Sequence, residues 1–93
     1  MRTFLEALRS IQESNYKEYK NPNDYNRFWK LSQFEYETIL DLKKEKDFEV
    51  AFKKKYGEGK DKYEKADFGR MVYGQNKQTG KIEIIASDYD TSD

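Results

Sequence analysis

The sequence predicts one small α+β domain in which about three helices are followed by a C-terminal antiparallel β-hairpin. Two observations carry this prediction. Apolar residues recur at helical spacing through the first 56 residues, whereas residues 70–86 hold two β-rich runs around a polar turn. The length of 93 residues fits a single domain, residues 1–93, in which we expect 87–93 to form an acidic, frayed tail.

The core of this domain is expected to be thin and rich in aromatic side chains. The chain has eight tyrosines, six phenylalanines and one tryptophan, and its 18 basic residues balance 18 acidic ones. Each buried ring removes about 150–250 Å² from water, which compensates for the scarcity of aliphatic residues. The zero net charge argues against a globally basic nucleic-acid binder and against an acidic mimic of nucleic acid.

A first helix is predicted over residues 3–14. Thr3 and Glu6 have the spacing of a capping box, in which each side chain satisfies a free amide at the helix start. Four apolar side chains then share one helical face: Phe4, Leu5, Leu8 and Ile11. The run Asn21-Pro22-Asn23-Asp24 ends any extension of this helix, because proline lacks an amide donor.

Helical structure is predicted again over residues 24–44, as one helix or two. Asp24 is placed to cap its start, and Ser32 with Glu35 repeats the capping-box spacing. Its apolar side chains are Tyr25, Phe28, Trp29, Leu31, Phe34, Ile39, Leu40 and Leu42. The polar run 43–46 predicts a break after it.

The third predicted helix covers residues 47–56. Asp47 is a good N-cap residue, and Gly57 has the position of a glycine that ends a helix. Its apolar stripe is Phe48, Ala51, Phe52 and Tyr56. Residues 57–68 lack a clean period and predict a connecting loop, and the hairpin over 70–86 turns at 76–80, where Gly80 takes a positive φ.

The sequence predicts a protein that is not an enzyme and that uses no metal or cofactor. It contains no histidine and no cysteine, which removes the common nucleophile pairs and the usual zinc sites. The run 57–60 lacks the residues of a phosphate-binding loop, and the acidic tail is too short for a calcium loop. No run approaches the about 20 apolar residues of a membrane span, so we expect a cytoplasmic protein without membrane contact.

Two groups of residues are candidates for binding a partner. The first is a basic segment that contains tyrosine, and lysines interleaved with aromatic rings suit a nucleic-acid strand. The members of this basic segment are Lys53, Lys54, Lys55, Lys60, Lys62 and Tyr63. Its alternative interpretation is a solvated helix end. The second group is an aromatic surface of Tyr25, Trp29 and Tyr36, for which the alternative is that Trp29 anchors the core.

These observations lead to two hypotheses of function. The first is a protein-binding module, an inhibitor or regulator of a larger protein, which acts through exposed tyrosines and mixed charges. The small size and the richness in lysine, asparagine, tyrosine and glutamate would suit an accessory protein of a phage or another mobile element. The second is a nucleic-acid-binding protein of loosely winged-helix character, with 47–56 as the recognition helix and 70–86 as the wing.

Overall fold

The computed structural model describes residues 16–89. Within them, two helices pack on one face of a four-stranded antiparallel sheet with the order β1-β4-β3-β2. A short 3-10 turn, Pro22–Asp24, precedes the second strand. The strands are β1 (Lys17–Glu18), β2 (Tyr25–Ser32), β3 (Arg70–Asn76) and β4 (Ile82–Ser87), and the helices are α1 (Glu35–Leu42) and α2 (Phe48–Tyr56).

The predicted arrangement of three helices and a terminal hairpin is wrong. Residues 25–32 form a strand instead of a helix, so the helix predicted over 24–44 is reduced to α1. Strand β2 pairs along its length with β3, where Trp29 lies opposite Tyr73. The predicted helix 3–14 and the last four residues of the predicted tail lie outside the described residues.

Two predicted elements are confirmed in position. Helix α2 begins after Asp47, whose Oδ1 accepts a hydrogen bond from the amide of Val50 at 3.3 Å, and it ends at Gly57 with φ of 88°. Strands β3 and β4 form the predicted hairpin, closed by the hydrogen bond from the Asn76 amide to the Lys81 carbonyl at 2.8 Å. This hairpin is the centre of the sheet and not an appendage, and Ser87, the first residue of the predicted tail, belongs to β4.

The main core lies between the helices and the sheet. Phe52 of α2 is its centre, with no exposed surface and with four aromatic rings at centroid distances of 4.9–5.6 Å. These rings belong to Trp29, Phe48, Tyr56 and Tyr73. Ile39 of α1, Met71 of β3 and Ile82 of β4 belong to the same buried cluster.

A second, smaller core lies on the opposite face of the sheet. The buried residues there are Tyr25, Phe28, Ala66, Val72, Ile85 and Ala86. The ring of Tyr25 crosses β3 over Gly74, where a Cβ atom would lie 2.9 Å from the ring, and its hydroxyl donates to Glu83 of β4 at 2.8 Å. Because both faces of the sheet are covered, β2 carries apolar side chains on both faces.

The loop 57–68 covers the outer edge of β2. The amide and carbonyl of Phe28 each bond to Lys60 at 2.8 Å, which extends the sheet by one pair of residues. The indole Nε1 of Trp29 donates to the Gly57 carbonyl at 3.0 Å, and the ammonium group of Lys30 lies 3.1 Å from Asp67. The loop therefore covers part of an edge that is otherwise open to pairing with other chains.

The protein is expected to lose stability between pH 10 and 12. Burial and a hydrogen bond to Glu83 raise the pKa of Tyr25 from 10.0 to about 12. Burial also raises the pKa of Tyr56 and of Tyr73. Above pH 10 the unfolded chain loses these protons while the folded chain keeps them, so the stabilisation present below pH 10 is lost as the pH rises through the folded pKa values. Urea denaturation from pH 8 to 12 measures this loss.

Tyr73→Phe provides the control for this titration. The Tyr73 hydroxyl is buried and has no hydrogen-bond partner among residues 16–89, so its removal costs little stability at neutral pH. The variant is expected to show a shallower decline above pH 10. An unchanged decline would mean that Tyr73 does not contribute to it.

Candidate protein-binding surface

Two of the predicted partner-binding residues are inside the protein. Tyr25 is 5% exposed and Trp29 is 4% exposed. Tyr25 packs in the smaller core, and Trp29 packs edge-on against Phe52 at 5.0 Å. The hypothesis that these two residues form an exposed aromatic surface is therefore wrong, because both rings are buried in the core.

Two phenylalanines that the sequence does not mark as a site are the most exposed large apolar side chains described. Phe34 and Phe68 are each 82% exposed. The amide of Gln33 donates to the Gly69 carbonyl at 2.6 Å, just beyond the last paired residues of β2 and β3. Phe34 directly follows this hydrogen bond and Phe68 directly precedes it, so both lie at the same end of the sheet.

Two tyrosines lie at that same end. Tyr36 is in the first turn of α1, and its amide donates to the Gln33 carbonyl at 3.1 Å. Tyr89 follows β4, and its ring lies edge-on to that of Tyr36 at 6.2 Å. Both are half-buried. We call the surface formed by Phe34, Tyr36, Phe68 and Tyr89 the aromatic end; of the predicted site residues, Tyr36 belongs to it.

Local hydrogen bonds hold the two exposed rings on ordered turns. The Ser32 hydroxyl accepts from the Phe34 amide at 3.2 Å, in place of the capping box predicted at this position. On the other turn, the Arg70 amide donates to the Asp67 carbonyl at 3.0 Å and the Arg70 guanidinium lies 2.8 Å from the Asp67 carboxylate. The backbone that presents Phe34 and Phe68 is therefore fixed before any partner arrives.

Carboxylates surround the aromatic end. Glu35 accepts from the Tyr56 hydroxyl at 2.6 Å, and Glu37 is exposed. Asp88 accepts from the Arg70 amide at 2.8 Å through one oxygen, and its other oxygen is buried without a partner among the described residues. Across residues 16–89, no three carboxylates are arranged to hold a metal ion.

The predicted lysines form a separate surface. Lys53, Lys54 and Lys55 occupy the last turn of α2, and Lys60 and Lys62 lie on the loop beside the outer edge of β2. Lys54, Lys55, Lys60 and Lys62 are exposed and make no ion pair with a described residue, whereas Lys53 lies 4.0 Å from Glu58. We call these five residues the basic edge.

The predicted site residue Tyr63 packs against the sheet beside the basic edge. Its ring lies edge-on to Phe28 at 5.6 Å, and its hydroxyl donates to Glu18 of β1 at 3.3 Å. Burial raises the pKa of its hydroxyl. Tyr63 therefore ties the loop to the smaller core and presents only part of its ring to solvent.

No known protein family, curated protein or solved structure matches this chain. None of the helices within residues 16–89 is long and apolar enough to cross a membrane.

Proposed function

We propose that this chain is a non-enzymatic protein-binding module, an inhibitor or regulator of a larger protein, and that it binds through the aromatic end. One observation carries the proposal. Phe34 and Phe68, both 82% exposed, lie on two turns joined by the Gln33–Gly69 hydrogen bond at one end of the sheet, although the core of the domain is short of apolar side chains. Burying these rings against a partner is favourable, since each removes about 150–250 Å² from water.

The setting of the two rings supports this role. Aromatic side chains supply most of the affinity in many interfaces, and they do so best at the centre of a patch with a polar rim. The half-buried rings of Tyr36 and Tyr89, which also pack against the main core, add to the apolar surface. Because the turns are already ordered, binding costs little backbone entropy.

A capture experiment with matched variants tests the proposal. The full chain, immobilised, is exposed to a cell lysate beside Phe34→Ser/Phe68→Ser and Val50→Ser, and bound proteins are quantified by mass spectrometry. Val50 is also exposed, at 62%, but lies on α2. We expect proteins captured by the natural chain and by Val50→Ser to be lost with the double variant, and the affinity for the purified partner to fall at least about 30-fold.

The opposite pattern would remove the aromatic end from the proposal. If captured proteins persist with the double variant but are lost with Val50→Ser, the binding surface is on α2. Circular dichroism of each variant shows whether its fold is intact, which separates lost binding from unfolding.

A second candidate function is nucleic-acid binding through the basic edge. The winged-helix arrangement is not available, because the first part of the helical segment predicted over 24–44 is strand β2. The observation that favours this candidate is the absence of ion pairs, among described residues, at Lys54, Lys55, Lys60 and Lys62. Lys54→Glu/Lys55→Glu in the same capture experiment, with and without nuclease, decides it: nucleic-acid binding predicts nuclease-sensitive capture that this variant loses.

A further inference from the structure

We infer that the partner of the aromatic end is a protein surface whose apolar groove is bordered by lysine and arginine side chains. The inference rests on the proposed function and names the chemistry of its partner. The three segments that form the aromatic end, residues 33–37, 67–70 and 87–89, contain four carboxylates and one guanidinium. The four are Glu35, Glu37, Asp67 and Asp88, and the cation is Arg70.

The ion pairs of this region leave part of the negative charge uncompensated. The Arg70 guanidinium is 2.8 Å from Asp67, and the neighbouring cation, Lys30, lies between Asp67 at 3.1 Å and Glu64 at 3.9 Å. These cations are therefore matched by Asp67 and Glu64. Glu37 is exposed and makes no ion pair with a described residue, and it lies three positions from Phe34.

The negative charge of the aromatic end contrasts with the charge of the basic edge. The basic edge, at the end of α2 and beside the middle of β2, has five lysines against the three carboxylates interleaved with them, Glu58, Asp61 and Glu64, so its net charge has the opposite sign. A basic partner is attracted to the aromatic end and repelled by the basic edge. Such complementarity mainly accelerates and orients association, whereas the buried rings supply affinity. The two surfaces together therefore favour a single orientation of a basic partner.

A second copy of this chain fits the aromatic end less well. A two-fold symmetric dimer places the same patch of each copy face to face. Here that would bring the carboxylates of two aromatic ends together, with Glu37 of one copy near the acidic segments of the other. A head-to-tail contact with the basic edge avoids the repulsion and leads to a ring or an open chain of copies, which sedimentation detects.

The test uses two synthetic peptides and the full chain. One peptide is an amphipathic helix of leucine and lysine labelled with fluorescein, and the other has glutamate in place of every lysine. We expect the lysine peptide to bind at least about tenfold more tightly, as measured by fluorescence anisotropy, and the difference to shrink at about 0.3 M salt, where the charges are screened. Phe34→Ser/Phe68→Ser should weaken binding of the lysine peptide about tenfold or more.

A pair of charge reversals separates the aromatic end from the overall charge of the protein. Glu37→Lys is expected to weaken binding of the lysine peptide severalfold. Glu45→Lys makes the same change at an exposed residue in the turn between α1 and α2 and should leave binding unchanged. Equal effects of the two variants would show that only net charge matters, and would overturn the inference.

Other outcomes identify a different occupant. Equal or tighter binding of the glutamate peptide overturns the basic partner while leaving the proposed function in place, provided that capture from the lysate still depends on Phe34 and Phe68. If neither peptide binds and capture from the lysate does not depend on Phe34 and Phe68, the proposed function fails as well. Self-association in sedimentation would show that a second copy occupies the aromatic end. Tighter peptide binding after deletion of residues 1–14 would show that this segment occupies it. Either result contradicts the inference.

Discussion

Phe52→Ala is expected to lower the free energy of unfolding by about 3–5 kcal/mol. The side chain is completely buried, and its ring contacts four others, with Trp29 and Tyr56 nearest at 5.0 and 4.9 Å. Removing it leaves a cavity that rigid aromatic neighbours fill poorly. A domain of this length is stable by only about 5–15 kcal/mol, so the loss is a large fraction of the total. Urea denaturation followed by the fluorescence of Trp29 measures it.

Phe34→Ala is the matched control for this substitution. It removes the same atoms from a side chain that is 82% exposed, and it should change the free energy of unfolding by less than about 0.5 kcal/mol. Similar losses for the two variants would mean that Phe34 is buried in solution. That result would contradict the exposed state of the aromatic end.

Gly59→Ala is expected to lower the free energy of unfolding by about 2–5 kcal/mol for two separate reasons. Gly59 has φ of 79°, a conformation that costs other residues about 1–2 kcal/mol. In addition, an ideal Cβ atom at this position would lie 2.6 Å from Cε2 of Trp29, whose ring is locked by Phe52 and by the hydrogen bond to Gly57. Relieving this overlap requires a shift of the loop or of the core, which adds about 1–3 kcal/mol.

Gly80→Ala measures the first reason alone, the cost of the positive φ. Gly80 has φ of 73°, close to that of Gly59, but no atom lies within 4 Å of its added Cβ. The variant should lose only about 1–2 kcal/mol. Thermal or urea denaturation of both variants gives the difference, which reports how closely the loop is packed on Trp29. Equal losses would show that the loop 57–68 moves away from β2 without cost.

The elements with local signals were predictable from the sequence. Asp47 and Gly57 mark the ends of α2 through hydrogen bonds within a few residues of each, and the turn before Gly80 likewise depends on local bonds. The Asn76 side chain accepts from the amides of Gln78 and Thr79, which fixes the reversal between β3 and β4. These interactions need no knowledge of the rest of the chain.

Strand β2 was not predictable by periodicity. A half-buried strand alternates, but β2 is covered on both faces, with Phe28 and Trp29 buried in different cores. A bulge between Tyr25 and Arg27 disturbs the alternation further. The resulting pattern resembles the spacing of a helix face. The signal that favours a strand is composition, because Tyr, Phe and Trp prefer strands.

The aromatic end was missed for a related reason. Phe34 fits the apolar stripe of a helix that the structure does not contain, and Phe68 lies in a loop where no period assigns it a role. A large apolar side chain between Asp67 and Gly69, in a polar segment, is the one available signal. Tyr36, which the sequence places in an exposed aromatic surface, is half-buried. The exposure of Phe34 and Phe68 depends on the pairing between β2 and β3, which are distant in sequence.

The strand order sets a limit on when this chain can fold during its synthesis. The two central strands, β3 and β4, are translated after β1, β2 and both helices. Until residues 70–87 have left the ribosome, Trp29 and Phe52 have no sheet to pack on, and helices of eight and nine residues are marginal alone. The nascent chain therefore shows its aromatic residues to chaperones and proteases, and ribosomes stalled before residue 70 hold a polypeptide without its sheet.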